Sequence, residues 1–114
     1  MEAKIKELQF SENDCIIHSA LVDGEERRFN SRDDSTFSLE LFEVSGNQDI
    51  DVERIKMAQA KLAKVELNDS HVGILDGMIY ATIYTLEPVV DPVGLFREIF
   101  HGFIDIEPVQ AELR

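Results

Sequence analysis

"HVGILDGMIYATIYTLEP", residues 71–88, decides the fold, because it fits two different structures. Read with helical spacing, Val72, Leu75, Ile79, Ile83 and Leu86 line up as one apolar stripe. Gly73 and Gly77 would then each cost about 1 kcal/mol inside the helix. Read as strands, Asp76-Gly77 is a two-residue hairpin turn, whose central positions both need positive φ, and "IYATIYTL" supplies β-branched and aromatic residues. The turn chemistry outweighs the stripe, so a β-hairpin is expected here.

Upstream, "CIIHSALV" (15–22) is apolar and branched and runs into Asp23-Gly24, a second hairpin signal, with "EERRF" as the returning strand. The polar stretch Asn30 to Ser35 reads as a turn. "TFSLELFEV" (36–44) alternates Phe37, Leu39 and Leu41 with Ser38, Glu40 and Phe42, a half-buried strand whose second face turns apolar at its end. The opening stretch to Phe10 is read as one more strand, although Ile5 and Leu8 are out of strand phase.

Two helices complete the reading. After a turn at Gly46 to Asp49, Asp51 is expected to cap a helix in which Val52, Ile55, Ala58, Leu62 and Val65 repeat every three or four residues. Its acids come first and its lysines last, as the helix dipole favours. Pro88 ends the 71–88 hairpin. Asp91-Pro92 then starts a second helix, with the aspartate as cap and the proline where its missing N–H costs nothing. Its apolar face is Val93, Phe96, Ile99, Phe100 and Phe103.

The pattern predicts an α+β domain: a mainly antiparallel sheet of about five or six strands, in the order β-β-β-β-α-β-β-α, with two helices packed on one face. Residues 1–108 form this single domain, and 109–114 are expected to leave it as a C-terminal tail. A chain of 114 residues that is 44% hydrophobic has enough apolar material for a core of its own.

The formal net charge of −12 is the strongest global signal. A surface this acidic repels nucleic-acid phosphates and anionic membranes and attracts basic proteins, so neither direct nucleic-acid binding nor membrane binding is expected. The charge is uneven: residues 65–114 carry nine acids against Arg97 and Arg114, whereas Arg54, Lys56, Lys61 and Lys64 share eleven residues without an acid. That bipolarity would also suit a homodimer. No apolar run approaches the roughly 18 residues of a membrane span, and the N-terminus lacks a signal-peptide layout, which places the chain in the cytoplasm. The lone Cys15 fits a reducing compartment and reads as a small buried hydrophobe.

Few residues suggest chemistry. In "GEERRFNSRDD" (24–34), Arg28 and Arg32 lie four apart and offer planar forks of donors to a carboxylate or phosphate. The competing reading pairs Arg27, Arg28 and Arg32 with Glu25, Glu26, Asp33 and Asp34 as a solvated hairpin. It wins because those acids are already close in the chain. His18, His71 and His101 have no metal-ligand spacing. "NDSH" (68–71) reads as a turn rather than part of a triad. "NQDIDVE" (47–53) sets Asp49, Asp51 and Glu53 at alternate positions but lacks the glycine and final glutamate of a calcium loop. No phosphate loop, dinucleotide fingerprint or C-x-x-C is present. No catalytic residue, metal or cofactor is therefore assigned, and the chain is expected not to be an enzyme. Phe96, Phe100 and Phe103 first read as core. Part of that face, with Glu98 and Asp105 beside it, is the candidate surface for a partner.

These features predict a non-catalytic acidic binding module of chaperone, adaptor, immunity or inhibitor type that captures a basic protein partner. The alternative is a regulatory or sensor domain that binds a small molecule or anion through Arg28 or Arg32. A further alternative is a DNA mimic that occupies a nucleic-acid-binding protein. The resemblance to small secretion chaperones, immunity proteins and phage inhibitors lies only in element order and acidity.

Overall fold

A computed structural model describes residues 16–109. The strand expected before Phe10, the thiol of Cys15 and residues 110–114 of the tail lie outside the described residues. In chain order the elements are β1 (Ile16–Val22), β2 (Glu25–Asp33), β3 (Thr36–Glu43), α1 (Gln48–Leu62), β4 (Asp69–Leu75), β5 (Met78–Tyr84), α2 (Pro92–Ile99) and β6 (Ile106–Pro108). The molecule is α+β, a six-stranded antiparallel sheet in the order β4-β5-β3-β2-β1-β6 with two helices.

Both Asp-Gly turns form as their chemistry requires. Asp23 and Gly24 have φ of 52° and 84°, and Asp76 and Gly77 have 53° and 78°. Two successive left-handed residues match the twist of the flanking strands. The 71–88 stretch is thus a hairpin, in unbroken register from Asp69↔Tyr84 to Leu75↔Met78.

Four boundaries differ from expectation. Residues 30–33 are not a turn: β2 continues to Asp33, and Asp34-Ser35 makes the reversal. "NDSH" is not a turn either, since β4 begins at Asp69. The first helix starts at Gln48, and its cap is Asn47, whose side chain accepts from the N–H groups of Asp49 (3.0 Å) and Ile50 (3.3 Å). Asp51 instead turns back to accept from the Ser45 N–H at 2.9 Å. Finally, residues 106–108, inside the expected domain but not expected as a strand, pair beside β1, with Val22 opposite Ile106. Asp91 does cap α2, accepting from the Gly94 N–H at 3.1 Å, with Pro92 in the first turn.

The apolar change of phase at the end of "TFSLELFEV" has a structural cause. The register between β3 and β5 shifts between Glu40 and Phe42, a bulge that inserts one extra residue. Beyond it, Phe42 stands opposite Ile79, which is fully buried, so Leu41 and Phe42 both serve the helix-covered side.

One core joins the sheet to both helices. Phe29, Phe37, Leu39, Leu41, Ile79, Ala81 and Ile83 come from the sheet, Ala58 and Leu62 from α1, and Phe96 and Ile99 from α2. Burying each large side chain contributes roughly 1.5–3 kcal/mol before chain entropy is counted. Lys61 donates to the His101 carbonyl at 2.7 Å and so ties the end of α1 to the turn after α2. Among the described residues, no helix is long and apolar enough to cross a membrane.

Candidate functional site

A concavity lies where the N-terminal end of α2 meets β1, β2 and β3. It encloses about 570 Å³ and is assembled from three distant parts of the chain. Its floor is aromatic and aliphatic: Phe29 and Phe37 lie parallel with centroids 6.2 Å apart, and Val89 and Val93 flank them. Phe96 supports the floor edge-on, 6.0 Å from Phe29.

Backbone hydrogen bonds hold the walls. The segment 85–91 is fastened to the β2–β3 turn, since Thr85 N–H donates to the Ser35 carbonyl and Val89 N–H to the Asp34 carbonyl, both at 2.8 Å. Asp33 tightens the same turn by accepting from the Ser35 N–H at 2.8 Å. This leaves Asp33 and Asp34 on one wall of the cleft and Val90, 100% exposed, at its mouth. His18 closes the opposite side, its ring 5.5 Å from Phe29. Pro108 and Val109 of the last strand complete the rim.

The two arginines expected to grip an anion are separated. The β2 bulge between Ser31 and Asp33 makes Arg32 the extra residue and sets it on the cleft wall. Arg32 is not free of interactions. Arg28 is exposed and does not line the cleft, and its N–H donates to Glu40 Oε1 at 3.2 Å. Arg28 and Arg32 thus do not line the cleft together: the bulge interrupts the strand alternation that would set residues four apart on one face. Arg27 also departs from the local pairing expected for it. Its ion-pair partner is Glu43 on β3, at 4.0 Å, and its Nε is buried without a hydrogen-bond partner.

The residues expected to meet a partner also divide. Phe96 and Phe100 are 0% exposed and stack on each other at 6.2 Å, so they belong to the interior and offer no face. Phe103 is half-buried against Phe42, at 5.7 Å. Glu98 is exposed on α2. Asp105 is occupied in a reciprocal clamp with Asp23: the Asp23 N–H donates to its carbonyl at 2.7 Å, and its own N–H donates to Asp23 Oδ1 at 2.9 Å.

Two titrating groups are displaced from their ordinary values. The Ser45 backbone N–H, followed by its hydroxyl and the Arg54 charge, holds the Asp51 carboxyl below 3.8 against the opposing effect of burial. Burial, with Tyr84 nearby, pushes the Tyr80 phenol above 10.0, so it stays protonated 3.1 Å from His71 Nε2. Gly73 makes that contact possible, because a Cβ there would lie 2.9 Å from His71 Nε2 and 3.0 Å from Tyr80 Oη. Among the described residues, no three His, Cys, Asp or Glu side chains gather as a metal site.

Comparison with protein-family models, with curated proteins and with solved structures returns no match for this chain. The cleft and the charge distribution are therefore the features that bear on function.

Proposed function

We propose that the protein is a non-catalytic binding module that receives a basic, partly apolar segment of a protein partner in the cleft between α2 and the β2–β3 turn. The observation that supports this reading is the cleft itself. An apolar floor of Phe29, Phe37, Val89 and Val93 lies beside Asp33 and Asp34, with a fully exposed valine at the mouth. Glu87 and Asp91 flank that valine in the chain, which adds negative charge to a molecule already at −12. An aliphatic or aromatic anchor supplies affinity in such a site, while the acids steer a cationic partner and reject anionic ones. Several described cations are already occupied: Arg27 by Glu43, Arg54 over the Phe42 ring at 4.7 Å, Lys61 by the His101 carbonyl and Arg97 by Glu107.

A second reading, a small anionic ligand, has one observation in its favour: His18 and Arg32 both line the same cleft. One experiment separates the two. Capture from the native cell lysate at low and high salt is compared for the wild type, Val90→Asp and the double variant Asp33→Asn/Asp34→Asn. The proposal expects basic proteins that are released by salt and lost with both variants. Capture that is indifferent to salt and to both variants defeats it. A thermal shift by anionic metabolites that Arg32→Gln abolishes transfers the cleft to the second reading.

A further inference from the structure

We infer that β4 is an assembly edge, and that two copies of this chain pair there antiparallel about a two-fold axis through Val72. This pairing is independent of the cleft and depends on the edge's own residues.

Among the described residues, no strand lies beyond β4, whose seven residues leave half of their main-chain donors and acceptors without a ladder. Such an edge is a template for another strand unless lysine, proline, a bulge or short length blunts it. "DSHVGIL" contains no lysine or proline, and its ladder with β5 has no bulge.

The edge also carries a hole and a knob at symmetric positions. Below α1, a groove of about 320 Å³ is lined by Gln59, Leu62, Ala63, Ser70, His71 and Val72. Two residues past Val72, on the same side of the strand, Ile74 is 52% exposed. Antiparallel pairing centred on Val72 sets Ser70 opposite Ile74 of the second copy, and Ile74 opposite its Ser70. Opposed residues on one face have Cβ atoms about 4.5–5.5 Å apart. Each isoleucine therefore meets the other copy's groove, the self-complementarity that a two-fold interface requires.

Charge and size agree with this register. It puts Asp69 opposite Leu75, so no acid faces an acid, and it puts His71 opposite Gly73, which has no side chain to obstruct the ring. Gln59 and Ala63 line the groove, and Val52, seven residues before Gln59, shares their flank of α1. Lys56, four residues after Val52 and three before Gln59, lies on the same flank, so the α1 side of the edge carries a cation beside its neutral residues.

Sedimentation equilibrium tests the inference on the intact chain. The wild type is expected to approach twice 13.0 kDa with rising concentration. Added salt should tighten the dimer, because it screens repulsion between two chains of charge −12. Ile74→Lys, at an exposed position, should weaken association by about tenfold or more with an unchanged circular dichroism spectrum, because the ammonium would be buried unpaired. In a Cys15→Ser background, mixing Ser70→Cys with Ile74→Cys should give an inter-chain disulfide that neither variant forms alone. A monomer at every concentration overturns the inference. So does a dimer indifferent to Ile74→Lys, or a Ser70→Cys chain that cross-links to itself as readily as to the Ile74→Cys chain.

Discussion

β6 and β4 close the same sheet, yet β6 is three residues long and ends on Pro108, whereas β4 runs for seven without a proline or a lysine. β6 is also held by its own chain. Arg97 of α2 donates to the Ile106 carbonyl at 3.0 Å and to Glu107 at 2.6 Å, and the Asp23–Asp105 clamp fixes the approach to the strand. β4 has contact with α1 on one face and β5 on one side. The contrast teaches that the two edges solve the same main-chain problem differently. One is finished inside the molecule, and the other is open among the described residues, as the proposed pairing requires.

The sharpest way to break the comparison uses one residue type on both edges. Ile106 is fully buried, so Ile106→Ala should cost roughly 2–5 kcal/mol in urea unfolding. Ile74→Ala, measured where the protein is dilute enough to be monomeric, should stay within about 0.5 kcal/mol. Equal losses at the two positions would erase the difference between the edges.

The hairpins that feed the edges give a smaller effect. Gly24 and Gly77 have φ of +84° and +78°, and a methyl group added at either would meet nothing within 4 Å, so only backbone strain separates glycine from alanine there. Gly24→Ala and Gly77→Ala should each lower stability by about 1–2 kcal/mol. A much smaller loss at Gly77 would show that the β4–β5 turn relaxes where the clamped β1–β2 turn does not.

Arg97→Met comes next, at roughly 0.5 kcal/mol, because the Arg97–Glu107 pair is about half exposed and solvent screens it. Amide exchange should quicken in residues 106–108 and leave β4 unchanged, and the loss should shrink in high salt. Exchange that quickens at β4 as well would mean that the edges are coupled.

The smallest effect is that of acid. The Asp51 carboxyl sits below 3.8 in the folded protein, so its contribution is complete above that pH and fades as pH falls towards the depressed value. Amide exchange at the start of α1 should rise over that acidic window before it rises in β6. Asp51→Asn should flatten the pH dependence. A variant with the wild-type acid profile would assign the loosening to other carboxylates.

Local chemistry made much of the architecture legible. Asp23-Gly24, Asp76-Gly77 and Asp91-Pro92 act through backbone geometry that a few neighbouring residues determine, and all three positions are as their sequence implies. Cap identity was harder, because either Asn47 or Asp51 can accept from a first turn, and the path of Ser45 selects between them. β6 has only three residues, too few for alternation to register, and its pairing depends on β1 at the far end of the described chain. Residues 30–33 looked like a turn from polarity alone, yet Asn30 is buried as a strand residue opposite Ser38. The cleft was least legible. His18, Phe29, Asp34, Val90 and Val109 meet only after the sheet is complete, and no spacing between them repeats.

The bulge in β3 carries a consequence for how this chain can vary in length. Its extra residue turns Leu41 and Phe42 to one side, and everything from Glu43 to the Asn47 cap is set out from that half-step. Deleting one residue at 41 or 42 would act as a frameshift in three dimensions: it barely changes the composition but rotates α1 away from the stripe that holds Ala58 and Leu62 inward. Insertions in the exposed stretch Leu86 to Pro88, between the hydrogen-bonded anchors at Thr85 and Val89, face no such phase constraint, so a change of length should be tolerated better there than in the middle of β3.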